Sequence, residues 1–346
     1  MRKIFPWILC FLLLAGCTDP EAALETTIPA TTAETEGPTP VPTETEPQEE
    51  RFLLTFAGDC TFGSNPVNRY ALYSFENTIG DDWSYPFANV LSYFESDDCT
   101  MVNLEGTLTE TGHRIPKAFN FKGSPEYVNI LTENSVEAVS LANNHSMDYG
   151  KEGYENTVAT LTAAGIPFAE TNKSTVFTTE SGLTIGIYGT VYYSMDVEDM
   201  AAEITAMKES GVDLIIFAPH WGAEDYYKPN NVQEDAGRAA IDAGALIVWG
   251  SHPHVLQPVE KYNGGIIYYS MANFSFGGNL YPHDYDTVLI QQEVIRHPDG
   301  AVTLGETTIV PCSVTSEKGH NNFQPTPCEE GSEQYARIMK KLGLAE

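Results

Sequence analysis

Ala245-Leu246-Ile247-Val248-Trp249 runs directly into Gly250-Ser251-His252-Pro253-His254-Val255. An apolar run stopped by a glycine and then a polar cluster reads as a buried strand that delivers side chains to a rim. The same order recurs along the chain. Phe52 to Ala57 precedes Gly58-Asp59-Cys60, and Met101-Val102-Asn103-Leu104 leads into Glu105-Gly106. Val136 to Leu141 precedes Ala142-Asn143-Asn144-His145 and then Asp148-Tyr149-Gly150. Val212 to Ala218 precedes Pro219-His220-Trp221-Gly222, and Leu183 to Tyr188 is a further apolar run. Amphipathic stretches at 85–95, 124–133, 151–164, 198–210 and 231–243 separate these runs. Strands alternating with helices predict βαβ units and largely parallel pairing. Past residue 265 the pattern changes. Ile266 to Met271, Thr287 to Val294 and Ala301 to Val310 are strand-like with little helix between them. They predict an antiparallel portion that completes a mixed sheet or a second sheet. Residues 333–342 predict a final short helix.

Ligands of open α/β sheets bind beyond the carboxyl ends of the strands. Five such ends here supply two carboxylates, an amide pair and four histidines. Carboxylate, imidazole and amide oxygen together suit a divalent transition metal, with Mn, Fe and Zn equally compatible. A bridging carboxylate flanked by ligands holds two ions about 3.5–4 Å apart and polarises a phosphoryl or carbonyl oxygen. His252-Pro253-His254 is the sharpest single motif: a two-residue spacing on an extended segment points both rings to one side. Small residues beside the ligands (Gly58, Gly106, Gly222, Gly250) allow close backbone approach. His113, His283, His297 and His320 follow no strand and read as surface or loop residues. Asp148 is placed to orient His145 or to line the pocket. Asn103, Asn143, Asn273 and Arg69 are candidate substrate contacts.

In this order the motifs resemble the CapA (PgsA) family of bacterial poly-γ-glutamate capsule-synthesis proteins. The likeness covers nearly all of residues 52–312 and includes Asn273-Phe274-Ser275. That family is related to calcineurin-like metallophosphoesterases. The resemblance implies an α/β fold of four layers, an αββα sandwich with mixed sheets. It implies that Asp59 and His254 serve a first metal, that Glu105 bridges, and that Asn144, His220 and His252 serve a second. His145 would be the general acid. Two positions depart from the phosphoesterase pattern. Thr61 stands where that pattern has histidine, and Glu105 where it has aspartate. The first site is thus one ligand short, and one or two divalent ions remain open.

Met1-Arg2-Lys3, an apolar run from Ile4 to Ala15 and Leu14-Ala15-Gly16-Cys17 have the form of an export signal, residues 1–17. The ending resembles the bacterial lipoprotein signal, with Cys17 as the acylated residue. Residues 18–50 hold nine Thr, nine Asp or Glu, six Pro and no Lys or Arg. Such a segment cannot bury enough apolar surface to offset its ordering entropy and reads as a disordered tether. Residues 51–346 then form the folded domain. Of its cysteines, Cys60 and Cys99 read as free and buried, while Cys312 and Cys328 are the expected pair in an oxidising compartment.

Eighteen Lys plus Arg against 48 Asp plus Glu give a formal net charge of −30. That excludes a basic nucleic-acid footprint. An anionic substrate must be met by a local positive centre. The leading expectation is a lipid-anchored extracytoplasmic protein of poly-γ-glutamate capsule synthesis or export. Its partners would be the cell membrane, poly-γ-glutamate or another envelope polymer, and a membrane synthase complex. The alternatives are a metal-dependent phosphoesterase on another envelope substrate and a non-catalytic scaffold of that synthase.

Overall fold

A computed structural model describes residues 48–345. The signal segment 1–17 with Cys17, and all but the end of the 18–50 tether, lie outside the described residues.

The apolar runs become two stacked mixed sheets. The first sheet is ordered Thr326–Pro327 (β16), Val302–Ser313 (β15), Asp286–Arg296 (β14), Glu50–Thr61 (β1), Cys99–Leu104 (β2), Ala138–Ser140 (β5) and Phe168–Ala169 (β6). Asn273–Phe276 (β13) also pairs with β1. The second is ordered Val259–Tyr262 (β11), Gly265–Tyr268 (β12), Ile247–Trp249 (β10), Leu214–His220 (β9), Thr184–Val191 (β8) and Lys173–Thr178 (β7). Thr107–Leu108 (β3) and Lys122–Gly123 (β4) form a small separate ladder. The βαβ strands pair in parallel, and the antiparallel members sit on the flanks. The C-terminal runs divide between the sheets. The Ile266 run extends the second in parallel, whereas β14, β15 and β16 complete the first.

Strand alternation builds the layers. Phe52, Leu54 and Phe56 of β1 meet Leu214, Ile216, Ile247 and Trp249 in the core between the sheets. Odd positions of β9 turn the other way, so Ile215 and Phe217 pack outward. There they meet Met200, Ile204 and Met207 of Val197–Glu209 (α5) and Ala236, Ala240 and Ile241 of Asn231–Ala243 (α6). The outer face of the first sheet is covered by Phe75–Ile79 (α1), Leu91–Phe94 (α2), Val128–Thr132 (α3) and Gly150–Ala164 (α4). This is the four-layer αββα sandwich. Trp249 crosses the middle, and its Nε1–H donates to Ala57 O at 2.9 Å.

Several sequence expectations change. The 85–95 stretch is a single 3₁₀ turn at Tyr85–Phe87 followed by the four-residue α2. Val90, at φ −123°, leaves helical backbone between the two. The stretch at 124–133 likewise divides at Tyr127. Cys312 and Cys328 are free thiols. Cys312 lies opposite Pro327, so Cys328 is one residue out of register. Cys312 joins the helix-side core and Cys328 the inter-sheet core. The two-residue period of the strand puts them on opposite faces, which prevents pairing. Cys60 and Cys99 are free and buried as expected.

The final helix, Glu333–Lys341 (α7), is held by charge. Arg337 donates twice to Asp286, at 2.7 and 2.6 Å, and Lys341 Nζ bridges Asp284 and Asp286 at 2.6 and 2.7 Å. Burial works to raise the Asp286 carboxyl, but the Arg337 and Lys341 bonds outweigh it and hold it low.

Asp97 lies just before β2, and its Oδ2 accepts from Thr100 Oγ1 at 2.7 Å. Burial raises its carboxyl to about 7, against the lowering pull of Thr55 and Thr100. A folded-state value above the unfolded one stabilises the fold fully in acid, and the contribution is lost as pH rises through about 7. Asp97→Asn is therefore expected to stabilise the protein at pH 8 and to leave it nearly unchanged near pH 3.5, below the ordinary carboxyl value. Urea unfolding of both proteins at the two pH values measures this, and equal differences at both would contradict it.

Candidate metal centre

The register of the first sheet sets a row across its carboxyl edge: Asn273 of β13, Asp59 of β1 and Asn103 of β2. Asn103 Nδ2 donates to Asp59 Oδ1 at 2.8 Å, and Asn143 Nδ2 donates to Leu104 O at 2.9 Å. His145 N donates to Asn143 Oδ1 at 3.1 Å, which fixes the turn carrying Asn144 and His145. The second sheet adds His220 as the last residue of β9, and His252 and His254 from the turn after β10. His252 N donates to the other oxygen of Asp59 at 3.3 Å. Asp59 therefore ties the two sheets together at the site.

That approach requires glycine at two points. A Cβ on Gly58 would lie 2.0 Å from Ala272 O, and one on Gly250 would lie 2.3 Å from Tyr269 O. Contrary to the expectation of an extended segment, His252 and His254 stand at positive φ, 98° and 57°. Their rings meet edge to face at 5.9 Å. Left-handed backbone at a non-glycine residue is strained and persists where its surroundings impose it. Here the turn is held by the His252 N bond to Asp59 and by the Asp225 N bond to Pro253 O, 2.9 Å.

Glu105 occupies the middle. It is fully buried, and neither carboxylate oxygen has a hydrogen-bond partner. Three imidazole Nε2 atoms surround its Oε1: His145 at 3.7 Å, His254 at 3.9 Å and His220 at 4.0 Å. None is a hydrogen bond. Burial pushes the Glu105 carboxyl up, and the charge of Asp59 adds to that push. Burial alone would lower His254, but Glu105 and Asp59 reverse this and raise it to about 10. His252 falls to about 4 through burial and then the charge of His254, and burial also lowers His220 and His145. A carboxylate without donors, ringed by imidazoles beyond bonding distance, fits a divalent cation. Asp59, Glu105 and His254 bring ligand atoms within 4.8 Å of one another, as do Glu224, His252 and His254. His220 Nε2 lies 2.9 Å from Asn144 Oδ1, so these two expected ligands also meet.

His145 stands apart as the proton-carrying candidate. Its Nδ1 lies 2.7 Å from Asp148 Oδ2, and its ring packs 4.2 Å from that of Phe121. Asp148 Oδ2 also accepts from Phe121 N at 2.6 Å. Lys117 completes the group. Its Nζ donates to Asn144 O at 2.9 Å, pairs with Asp148 Oδ1 and lies 3.1 Å from His145 Nδ1.

Sequence reasoning missed Lys117. It sits in the loop after Ile115-Pro116, 28 residues before its partner His145, and only the scarcity of cations hinted at it. Arg69, the cation that sequence reading selected, is not brought to the centre and instead pairs with Glu76 at 3.8 Å. Glu224 was also missed, because Ala223 separates it from the His220-Trp221-Gly222 motif. Asn273 lies against His254, with Oδ1 2.8 Å from Nδ1.

The centre opens into a cavity of about 270 Å³, lined among others by Phe119, Phe121, His145, Glu224, His254 and Phe276. A larger cleft of about 710 Å³ lies at the opposite strand ends, beside Asp97, Glu137 and Phe177. No histidine or asparagine lines that cleft.

A family model described as Bacterial capsule synthesis protein PGA_cap matches residues 53–278. The PGA biosynthesis protein CapA of Bacillus subtilis is 28% identical over 280 residues, which are 74% of this chain and 70% of that protein. The capsule biosynthesis protein CapA of Bacillus anthracis is 29% identical over 275 residues, 70% of this chain and 64% of that protein. The chain thus spans about two thirds of the length of these relatives. Among solved structures, the NAD nucleotidase of Haemophilus influenzae aligns with a TM-score of 0.43 at 11% identity, covering 86% of this chain and 57% of that one.

Proposed function

Since the chain belongs to the bacterial capsule synthesis protein family PGA_cap, we propose that it acts outside the cytoplasm in poly-γ-glutamate capsule synthesis or export, as a metal-dependent hydrolase or transferase. We propose further that acylated Cys17 anchors it to the cell membrane. The names of the two Bacillus relatives support the process. One observation carries the chemistry: the buried, donor-free carboxylate of Glu105 among three imidazoles.

Asp59, Glu105 and His254 would hold one divalent ion, and Asn144, His220 and His252 a second. When bound, such ions polarise a substrate ester or amide oxygen and favour ionisation of water near neutral pH. The remaining residues act on protons and position. The Lys117 ammonium has Asn144 O and Asp148 Oδ1 as acceptors, which assigns the His145 Nδ1 proton to Asp148 Oδ2. His145 Nε2 is then free to carry a proton to a leaving group, and Asp148 stabilises the imidazolium. Phe119, Phe121 and Phe276 form apolar walls of the cavity.

Mass-spectrometric metal content, measured beside hydrolysis of a generic aryl phosphate ester with added Mn²⁺, tests this reading. His145→Ala is expected to lower turnover by about 10²- to 10⁴-fold, as for loss of a general acid. Its metal content should equal that of the wild type. A wild type that takes up no metal after loading with Mn²⁺, Fe²⁺ and Zn²⁺ would sink the reading. The fold would then serve as a scaffold for a synthase.

A further inference from the structure

Two residues after Asp59 on β1, Thr61 faces the same side of the strand as that ligand. Its hydroxyl is committed elsewhere: Oγ1 donates to Glu105 O at 2.8 Å. Thr61 therefore braces the backbone beneath Glu105, and the centre is one donor short on that side.

The loop after β9 presents a carboxylate that no motif predicted. Trp221 anchors its start, with N donating to Ser251 O at 3.0 Å and Nε1 to Tyr269 O at 2.9 Å. Gly222 turns the chain at φ 87°. Asp225 N then donates to Pro253 O at 2.9 Å. That bond ties the loop to the turn lying between His252 and His254. Glu224 is therefore clamped on both sides and faces the cavity. Asp225 next to it pairs with His283 at 3.2 Å, whereas Glu224 is exposed and unpaired among the described residues. Its carboxylate comes within 4.8 Å of the ligand atoms of His252 and His254. His252 Nδ1 is buried without a hydrogen-bond partner, so that ring offers a nitrogen to a cation beside the Glu224 carboxylate.

We infer that Glu224 is a metal ligand of this centre, acting with His252 and His254. The inference rests on the proposed metal centre. It assigns a role to an exposed loop residue whose loss should leave the fold intact.

The test is calorimetric titration of the metal-stripped protein with Mn²⁺ and with Zn²⁺, using wild type, Glu224→Gln and Glu224→Asp. Glu209→Gln, an exposed carboxylate at the end of α5, controls for loss of one charge. Melting temperatures of all four proteins without metal accompany the titrations. Glu224→Gln is expected to bind about 10- to 100-fold more weakly or to lose one ion, with Glu224→Asp between it and the wild type. Its metal-free melting temperature should match the wild type. Glu209→Gln should bind as the wild type does. Wild-type stoichiometry and affinity in Glu224→Gln would overturn the inference and leave the metal centre standing. A wild type that binds neither ion would overturn both.

Discussion

Glu105→Gln is expected to abolish metal binding and, at the same time, to stabilise the metal-free fold. The wild-type carboxylate is fully buried with both oxygens unpartnered, so folding without a cation desolvates it at a loss. An amide of the same shape carries no charge to desolvate. Metal at about 100 times its dissociation constant stabilises a protein that binds it only when folded by about 2.7 kcal/mol. At about 2–4 °C per kcal/mol for a domain of a few hundred residues, the wild type should melt at least about 5 °C higher with metal. The variant should show no such shift and no metal by mass spectrometry. Its metal-free melting temperature should equal or exceed that of the wild type. A Glu105→Gln protein that still gains stability from Mn²⁺ or Zn²⁺ would remove Glu105 from the ligand set. One that is markedly less stable without metal would show the carboxylate to be satisfied already.

Trp249→Ala is expected to be the most destabilising substitution in the domain. Trp249 is among the largest fully buried side chains, and it packs 5.8 Å from Phe56, centroid to centroid, on the facing sheet. Truncating a buried aromatic to alanine costs about 3–5 kcal/mol. The loss also strands Ala57 O, which accepts from Trp249 Nε1, and a buried orphan acceptor costs a further ~1–3 kcal/mol. Typical domains are stable by about 5–15 kcal/mol, so the variant should melt far lower or fail to fold. Trp249→Phe separates the two contributions. It keeps most of the packing, loses the donor, and should fall between wild type and alanine in a denaturant titration. A Trp249→Phe variant as unstable as the alanine one would place the whole effect in the hydrogen bond. The site should suffer in step, because Ala57 is two residues from Asp59 and Trp249 three from His252.

The strand-end motifs were legible because a buried strand leaves a strong sequence signal. Short apolar runs stopped by Gly58, Gly106 or Gly250 gave the parallel cores of both sheets and the polar clusters at their ends. Layer count was not legible from periodicity. An apolar strand covered on both faces reads the same whether its neighbour is a helix or a second sheet, and the resemblance supplied the αββα arrangement. Edge strands were lost for a different reason. Lys173–Thr178 is half exposed and mostly polar, so it carries no apolar run. Asn273–Phe276 reads as a loop until its pairing with Asp59 is seen. Spacing reports direction only when the backbone is regular, and this turn is not, with His252 and His254 both at positive φ. Lys117 and Glu224 escaped because loops bring them in from outside any periodic element. Arg69 follows the first motif in a loop and is one of few cations, and neither property fixes its distance from the centre.

Strand β1 joins two ends of the molecule that differ in task. It begins at Glu50, and Asp59 follows nine residues later, about 30 Å along an extended chain. It is also an interior strand, bonded to β14 on one side and β2 on the other. A load applied at its first residue runs along the strand axis, across bonds that lie roughly perpendicular to it. All of them must then shear together, since none can be peeled singly. Such a load would be spread over both neighbouring ladders before reaching the far edge, where Asp59 sits.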